Sequence, residues 1–159
     1  GPEVFPVLMH DIVEILAAGS WNTKEAVERF TADYEGRHRR RASLTLQSGE
    51  RVMLELEHPR LLREGEALRL DDGRLVSIHA LPEQLMEVTA HTPLHLLQLA
   101  WHIGNRHLPA AIESTRILVR EDHVIAEMLH GLGAHVHRIE AAFDPEGGAY
   151  APRPHDHGH

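Results

Sequence analysis

Residues 92–109 read Thr-Pro-Leu-His-Leu-Leu-Gln-Leu-Ala-Trp-His-Ile-Gly-Asn-Arg-His-Leu-Pro. Thr92 has the character of a helix N-cap. Pro93 fits the first helical position, where a missing N–H costs nothing. Two apolar sets then recur at helical spacing: Leu94, Leu97 and Trp101, and also Leu96, Leu99 and Ile103. Gly104-Asn105 is the expected C-cap. The stretch therefore predicts an amphipathic helix.

The flanks decide what that helix packs on. Residues 85–89 read as a strand before it, and residues 111–113 and 117–119 as short strands after it. Asp122 starts a second amphipathic helix carrying Val124, Ile125, Met128, Leu129 and Leu132, stopped by Gly131 and Gly133. Val136, Ile139 and Phe143 mark a closing strand. Strand, helix, strand, strand, helix, strand is the split βαβ, or ferredoxin-like, order.

The first half reads as β-rich. Ala42, Leu44 and Leu46 alternate with polar residues, Ser48-Gly49 follows, and Val52, Leu54 and Leu56 alternate again. Period-2 runs around a glycine turn predict a hairpin. Leu68 and Leu70, Asp72-Gly73, then Val76 and Ile78 predict a second one. His58-Pro59 and Gly65 predict a loop between them. Residues 13–16 read as a further strand, and residues 20–35 fit a short helix or a strand. The expected class is α+β. Residues 1–84 form a small barrel or sandwich, residues 85–150 a ferredoxin-like domain, and residues 151–159 a flexible tail.

Composition narrows the function. The 159 residues include 15 histidines and no cysteine. Disulfides, thiolate zinc sites, iron–sulfur clusters and a cysteine nucleophile are excluded. Imidazole without thiolate favours nickel, copper(II) or zinc. A formal charge of −8 argues against nucleic acid. No apolar run approaches the ~20 residues that cross a bilayer. With no basic-then-apolar leader at its start, the chain is expected to be cytoplasmic. It has no His-Glu-x-x-His set and no phosphate-binding Gly-x-x-x-x-Gly-Lys run, so no enzyme is expected.

Four histidines fall in the first 84 residues, eight in residues 85–150 and three in the tail. His95 and His102, like His123 and His130, lie seven residues apart, a rise of ~10 Å along a helix, too far to share an ion. His123 has better companions in Glu127, one turn on, and Glu121. That set fits a surface metal site or a solvated helix face. His135 and His137 share one face of a strand. In the tail, His155, His157 and His159 alternate, a pattern that takes divalent metals. His107 is by spacing a lone loop histidine, which taken alone reads first as a structural cap on the preceding helix and only second as a ligand.

Residues 101–109, Trp-His-Ile-Gly-Asn-Arg-His-Leu-Pro, resemble the hallmark of the urease accessory nickel chaperones of the UreE family. Asp122-His123-Val124-Ile125, Met128-Leu129 and Gly131-Leu132-Gly133 resemble its second helix. Residues 143–150, Phe-Asp-Pro-Glu-Gly-Gly-Ala-Tyr, resemble its closing motif, and a histidine-bearing tail follows. Gly36-Arg37-His38-Arg39-Arg40-Arg41, Leu62-Arg63-Glu64-Gly65-Glu66 and Asp71-Asp72-Gly73-Arg74-Leu75-Val76 match in order.

The resemblance implies a peptide-binding-like first domain, a ferredoxin-like second domain, and a homodimer through the second domains that can pair into a dimer of dimers. It maps the family's interface histidine to His107, two copies of which would share one Ni2+, with Zn2+ or Cu2+ as substitutes. It implies a urease accessory GTPase and apo-urease as partners. The family's auxiliary His-x-His pair is here Glu121-Asp122-His123, so one imidazole is replaced by carboxylate. Tail histidines are expected to complete the His107 site. The arginine run 37–41 fits an acidic partner or a solvated strand edge. A general zinc, copper or nickel buffer is the alternative function.

Overall fold

The computed structural model describes residues 8–147. They form two compact units that divide between His79 and Ala80. Among the described residues no helix is long and apolar enough to cross a membrane.

The first unit contains β1 (His10–Leu16), a 3-10 turn (Thr23–Glu25), β2 (Ala26–Ala32), α1 (Tyr34–Arg37), β3 (His38–Thr45), β4 (Arg51–Leu61), β5 (Ala67–Leu70) and β6 (Leu75–Ala80). The sheet order is β2-β6-β5-β1-β4-β3. Both hairpins form in the register the alternation requires: Ala42 faces Leu54 and Leu44 faces Val52, while Leu68 faces Val76. Their turn glycines, Gly49 and Gly73, take φ of 95° and 91°, values that side chains with a Cβ resist. The sheet curls until its edges meet, where the Gln47 amide donates to the Arg29 carbonyl at 2.9 Å. The concave side holds Phe30, Leu44, Val52, Leu54, Leu68 and Ile78.

Three expectations change here. Pro59 lies inside β4, not in a loop. It falls where pairing with β3 slips between Arg39 and Arg41, so no ladder N–H is required of it. Residues 20–35 are neither one helix nor one strand, but the 3-10 turn, β2 and the start of α1. Arg37 leaves the arginine cluster altogether. It is fully buried, its Nε donating to the Ala32 carbonyl and its Nη1 to that of Leu62, both at 3.0 Å. Only Arg39, Arg40 and Arg41 remain exposed.

The second unit contains β7 (Glu83–Thr89), α2 (Pro93–Asn105), β8 (Ala111–Ile112), β9 (Ile117–Arg120), α3 (His123–Gly131) and β10 (His135–Ala141). Its sheet order, β10-β7-β9-β8, is antiparallel throughout and is the ferredoxin-like order. The chain thus has the expected two-part α+β fold. Thr92 caps α2 by accepting from the His95 amide at 3.0 Å. Asp122 caps α3 by accepting from the Val124 and Ile125 amides.

Only one of the two apolar stripes on α2 is buried. Leu96, Leu99 and Ile103 pack with Ile125 and Leu129 of α3 over Met86, Val88, Ile117 and Val119. Leu94, Leu97 and Trp101 stay 63%, 68% and 65% exposed. After β10 the chain crosses to the far edge of the sheet. Phe143 is fully buried on the way, and the Glu146 amide donates to the Ala110 carbonyl at 2.8 Å, just before β8.

Candidate metal centre

α2 ends one residue later than Gly104-Asn105 suggests, with Arg106 as the cap. Beyond it the His107 amide donates to the Gly104 carbonyl at 3.0 Å, and the Leu108 amide reaches the Ile103 carbonyl at 3.4 Å. This paired closure is the Schellman motif, whose left-handed position glycine usually takes. Here His107 takes it, with φ of 58°, and among the described residues no other non-glycine has positive φ. A side chain with a Cβ pays roughly 1–2 kcal/mol for that conformation. Leu108 turns back into the apolar cluster that contains Ile103, fixing the loop from below. His107 itself is exposed. Beside it, a cleft of about 350 Å³ is lined by Leu108, Pro109, Arg120, Glu121 and Asp122 among others.

The other candidates are placed differently. His123 is exposed at the first position of α3, and Glu127 is exposed one turn later. Glu121 is already engaged, its Oε1 lying 2.6 Å from Nη2 of Arg138. His155, His157 and His159 lie outside the described residues. His95 is a structural pin. Its Nδ1 accepts from the His91 amide at 3.2 Å and its Nε2 donates to the Leu132 carbonyl at 2.8 Å, so neither nitrogen is open to a metal. The His91 ring stacks on His95 and meets His135 edge-on, with centroids 5.6 and 5.0 Å apart.

Sequence reasoning missed one cluster. His10, Asp71 and Asp72 form the only set of three His, Asp or Glu residues, among those described, whose ligand atoms lie within 4.8 Å of one another. No local signal could reveal it, since about 60 residues separate β1 from the β5–β6 turn. The cluster is closed by its own partners. Nδ1 of His10 is 2.6 Å from Oδ1 of Asp71, whose Oδ2 accepts from the Asp11 amide. Asp72 accepts from Nε of Arg74 at 2.7 Å, and Arg74 also holds Glu50 through two bonds. The hydrogen bond to Asp71 raises the His10 pKa. The Asp11 amide and His10 together hold the Asp71 carboxyl below its ordinary range. With both carboxylates hydrogen-bonded and a guanidinium beside them, these groups act as a clasp between β1 and the hairpin.

No described set within one chain therefore gathers three ligands around His107 or His123. A metal at either would need donors from elsewhere.

Comparison with known proteins gives the chain its family. Residues 10–81 match the N-terminal domain and residues 83–159 the C-terminal domain of the UreE urease accessory protein. The urease accessory protein UreE of Rhodopseudomonas palustris strain HaA2 is 51% identical over 135 residues, covering 84% of this chain and 63% of the relative. That of Chelativorans sp. strain BNC1 is 52% identical over 135 residues, covering 84% and 85%. That of Rhizobium meliloti strain 1021 is 44% identical over 146 residues, covering 92% of each. The chain spans less than two thirds of the first relative and nearly all of the last. The name shared by all three is that of an accessory protein of an enzyme, not of an enzyme. Both halves match in order and at this identity, so the chain belongs to the UreE family of urease accessory proteins.

Proposed function

We propose that this protein carries nickel(II) as cargo for the maturation of urease, and that His107 is the central ligand. The observation that carries the reading is the left-handed His107 at the end of α2. Glycine would relieve the strain, so an exposed histidine kept there points to a use for its imidazole. Nickel(II) accepts imidazole and tolerates additional ligands.

A single imidazole is too little for a carrier, and a second copy supplies the rest. Leu94, Leu97 and Trp101 form an exposed apolar stripe on the helix that ends at His107. Exposed large apolar groups at helical spacing mark a protein interface. Two copies meeting along this stripe of α2 would set two His107 imidazoles against one ion. Such an incomplete shell binds metal yet leaves positions for tail histidines His155, His157 and His159, and later for an acceptor. Handover then exchanges tail ligands for those of the partner. The acceptor is apo-urease, working with a urease accessory GTPase in the cytoplasm, and Zn2+ or Cu2+ can occupy the same ligands. Because Glu121 is held by Arg138, His123 and Glu127 contribute at most a weak auxiliary site.

Nickel titration of full-length wild type and His107→Ala tests the reading. The variant is expected to lose the tightest equivalent. Equal stoichiometry and affinity would overturn the assignment. Competition between nickel and zinc, with urease activation as readout, separates a nickel carrier from a general metal buffer.

A further inference from the structure

We propose that His91 and His135 form a second, labile docking point for a borderline divalent metal ion, at the opposite end of α2 from His107. The proposal stands apart from the nickel-carrier reading, because neither residue takes part in it. His91 follows β7 and precedes α2, and His135 opens β10. Two local features bring them together. β10 pairs with β7 so that His135 faces Thr89, two residues before His91. On the other side, Gly133 makes the turn from α3 into β10 with φ of 83°. The ring centroids of His91 and His135 then lie 5.0 Å apart, with the ring planes at 71°.

That separation suits a shared ion. With metal–nitrogen bonds of ~2.0–2.1 Å, two imidazoles on one ion hold their centroids roughly 4.5–5 Å apart. The pair is also preorganised. The His91 amide donates to Nδ1 of His95 at 3.2 Å, and His95 is itself anchored through Nε2 to the Leu132 carbonyl. The His91 ring lies over that of His95, 6° from parallel. Both His91 and His135 are exposed, and among the described residues no hydrogen bond or ion pair occupies their ring nitrogens. His10 differs, since its Nδ1 is held by Asp71. Imidazoles left open in this way suit copper(II), nickel(II) or zinc. The pair forms no three-ligand set with any other described His, Asp or Glu, so water completes the shell. The positive end of the α2 dipole, beside His91, opposes a cation. Two ligands against that field make binding weak and exchange fast. α2 has 13 residues, a length of about 20 Å, so this ion and one at His107 would fill independently.

The test is copper(II) titration of the full-length chain with His107, His155, His157 and His159 replaced by alanine, followed by NMR of the histidine ring protons. Copper(II) binds imidazole most tightly in the divalent series. The His91 and His135 resonances are expected to broaden together, before those of the other histidines. His91→Phe keeps the ring contact and removes the nitrogens. It is expected to weaken this site about tenfold or more, and His135→Ala by a similar factor, because each leaves one imidazole to bind alone. His137→Ala removes another histidine from the same strand face and is expected to leave the affinity nearly unchanged. All three positions are exposed, so none of these changes is expected to unfold the chain. Uniform broadening across the histidines would overturn the proposal. So would a His91→Phe protein that binds like its parent, which would leave only an aromatic edge contact. Equal losses from His135→Ala and His137→Ala would also overturn it, as diffuse binding along the strand. Because His107 is absent from this background, the result does not depend on whether the nickel-carrier reading holds.

Discussion

The amide of His107 donates to the carbonyl of Gly104 at 3.0 Å, and this bond closes α2 with a histidine in a conformation that suits glycine. Stability and the proposed ligand role are therefore opposed at one position. His107→Gly is expected to fold more stably than His107→Ala by about 1 kcal/mol, since alanine keeps the left-handed penalty and glycine escapes it. Urea denaturation of the two variants checks this. Equal midpoints would mean that the loop relaxes to negative φ.

The two stripes of α2 should respond in opposite ways. Leu99 is 1% exposed in the core, so Leu99→Ala is expected to cost about 2–5 kcal/mol. Leu97 is 68% exposed, so Leu97→Asp should leave the melting temperature of a dilute single chain nearly unchanged while abolishing self-association. Sedimentation velocity over a range of concentrations reads the second effect. A Leu97→Asp protein that sediments like wild type would remove the stripe from the interface.

The His10–Asp71 clasp should be visible in titration. The Asp71 hydrogen bond raises the His10 pKa, so the ring is expected to titrate above the ordinary ~6.5, and to fall back in Asp71→Asn. Its stabilising contribution is complete below the unfolded histidine value and lost as pH rises through the folded one. The lowered Asp71 carboxyl behaves oppositely, contributing above its unfolded value and failing as pH falls through the depressed one. The clasp is thus strongest between about pH 4 and 6.5. Proton NMR of the His10 ring is the measurement. An unshifted ring would mean that the clasp is open in solution.

Glu121 lies 2.6 Å from Arg138. His123→Ala is therefore expected to leave the first nickel equivalent intact. Arg138→Ala, by freeing Glu121, should strengthen any weak second equivalent. Calorimetric titration with excess nickel separates the two, and loss of the first equivalent in His123→Ala would move the main site to α3.

Much of this was legible in the residues, and the rest was hidden for physical reasons. Alternation around Gly49 and Gly73 specifies both hairpins because a one-residue slip would turn every apolar side chain outward. Thr92-Pro93 and Asp122 mark their helix starts because orphan amides need those acceptors. Pro59 misled because a slipped register, set by tertiary pairing, tolerates it within β4. Arg37 misled because its burial depends on carbonyls of Ala32 and Leu62, one of them 25 residues away. The His10 cluster joins distant segments, so no spacing rule reaches it. The spare stripe of α2 was already in the sequence: six large apolar residues on two faces exceed what one sheet contact can cover. His107 stood out through its surrounding motif, and the structure adds its left-handed backbone, which spacing does not reveal.

The most direct measurement is anomalous diffraction at the nickel edge from crystals of the nickel-loaded, full-length protein. The expected result is a peak on a two-fold axis, about 2 Å from an imidazole nitrogen of His107 in each of two copies. A strong peak elsewhere, at His10 and Asp71 or at His123, with His107 bare, would contradict the assignment.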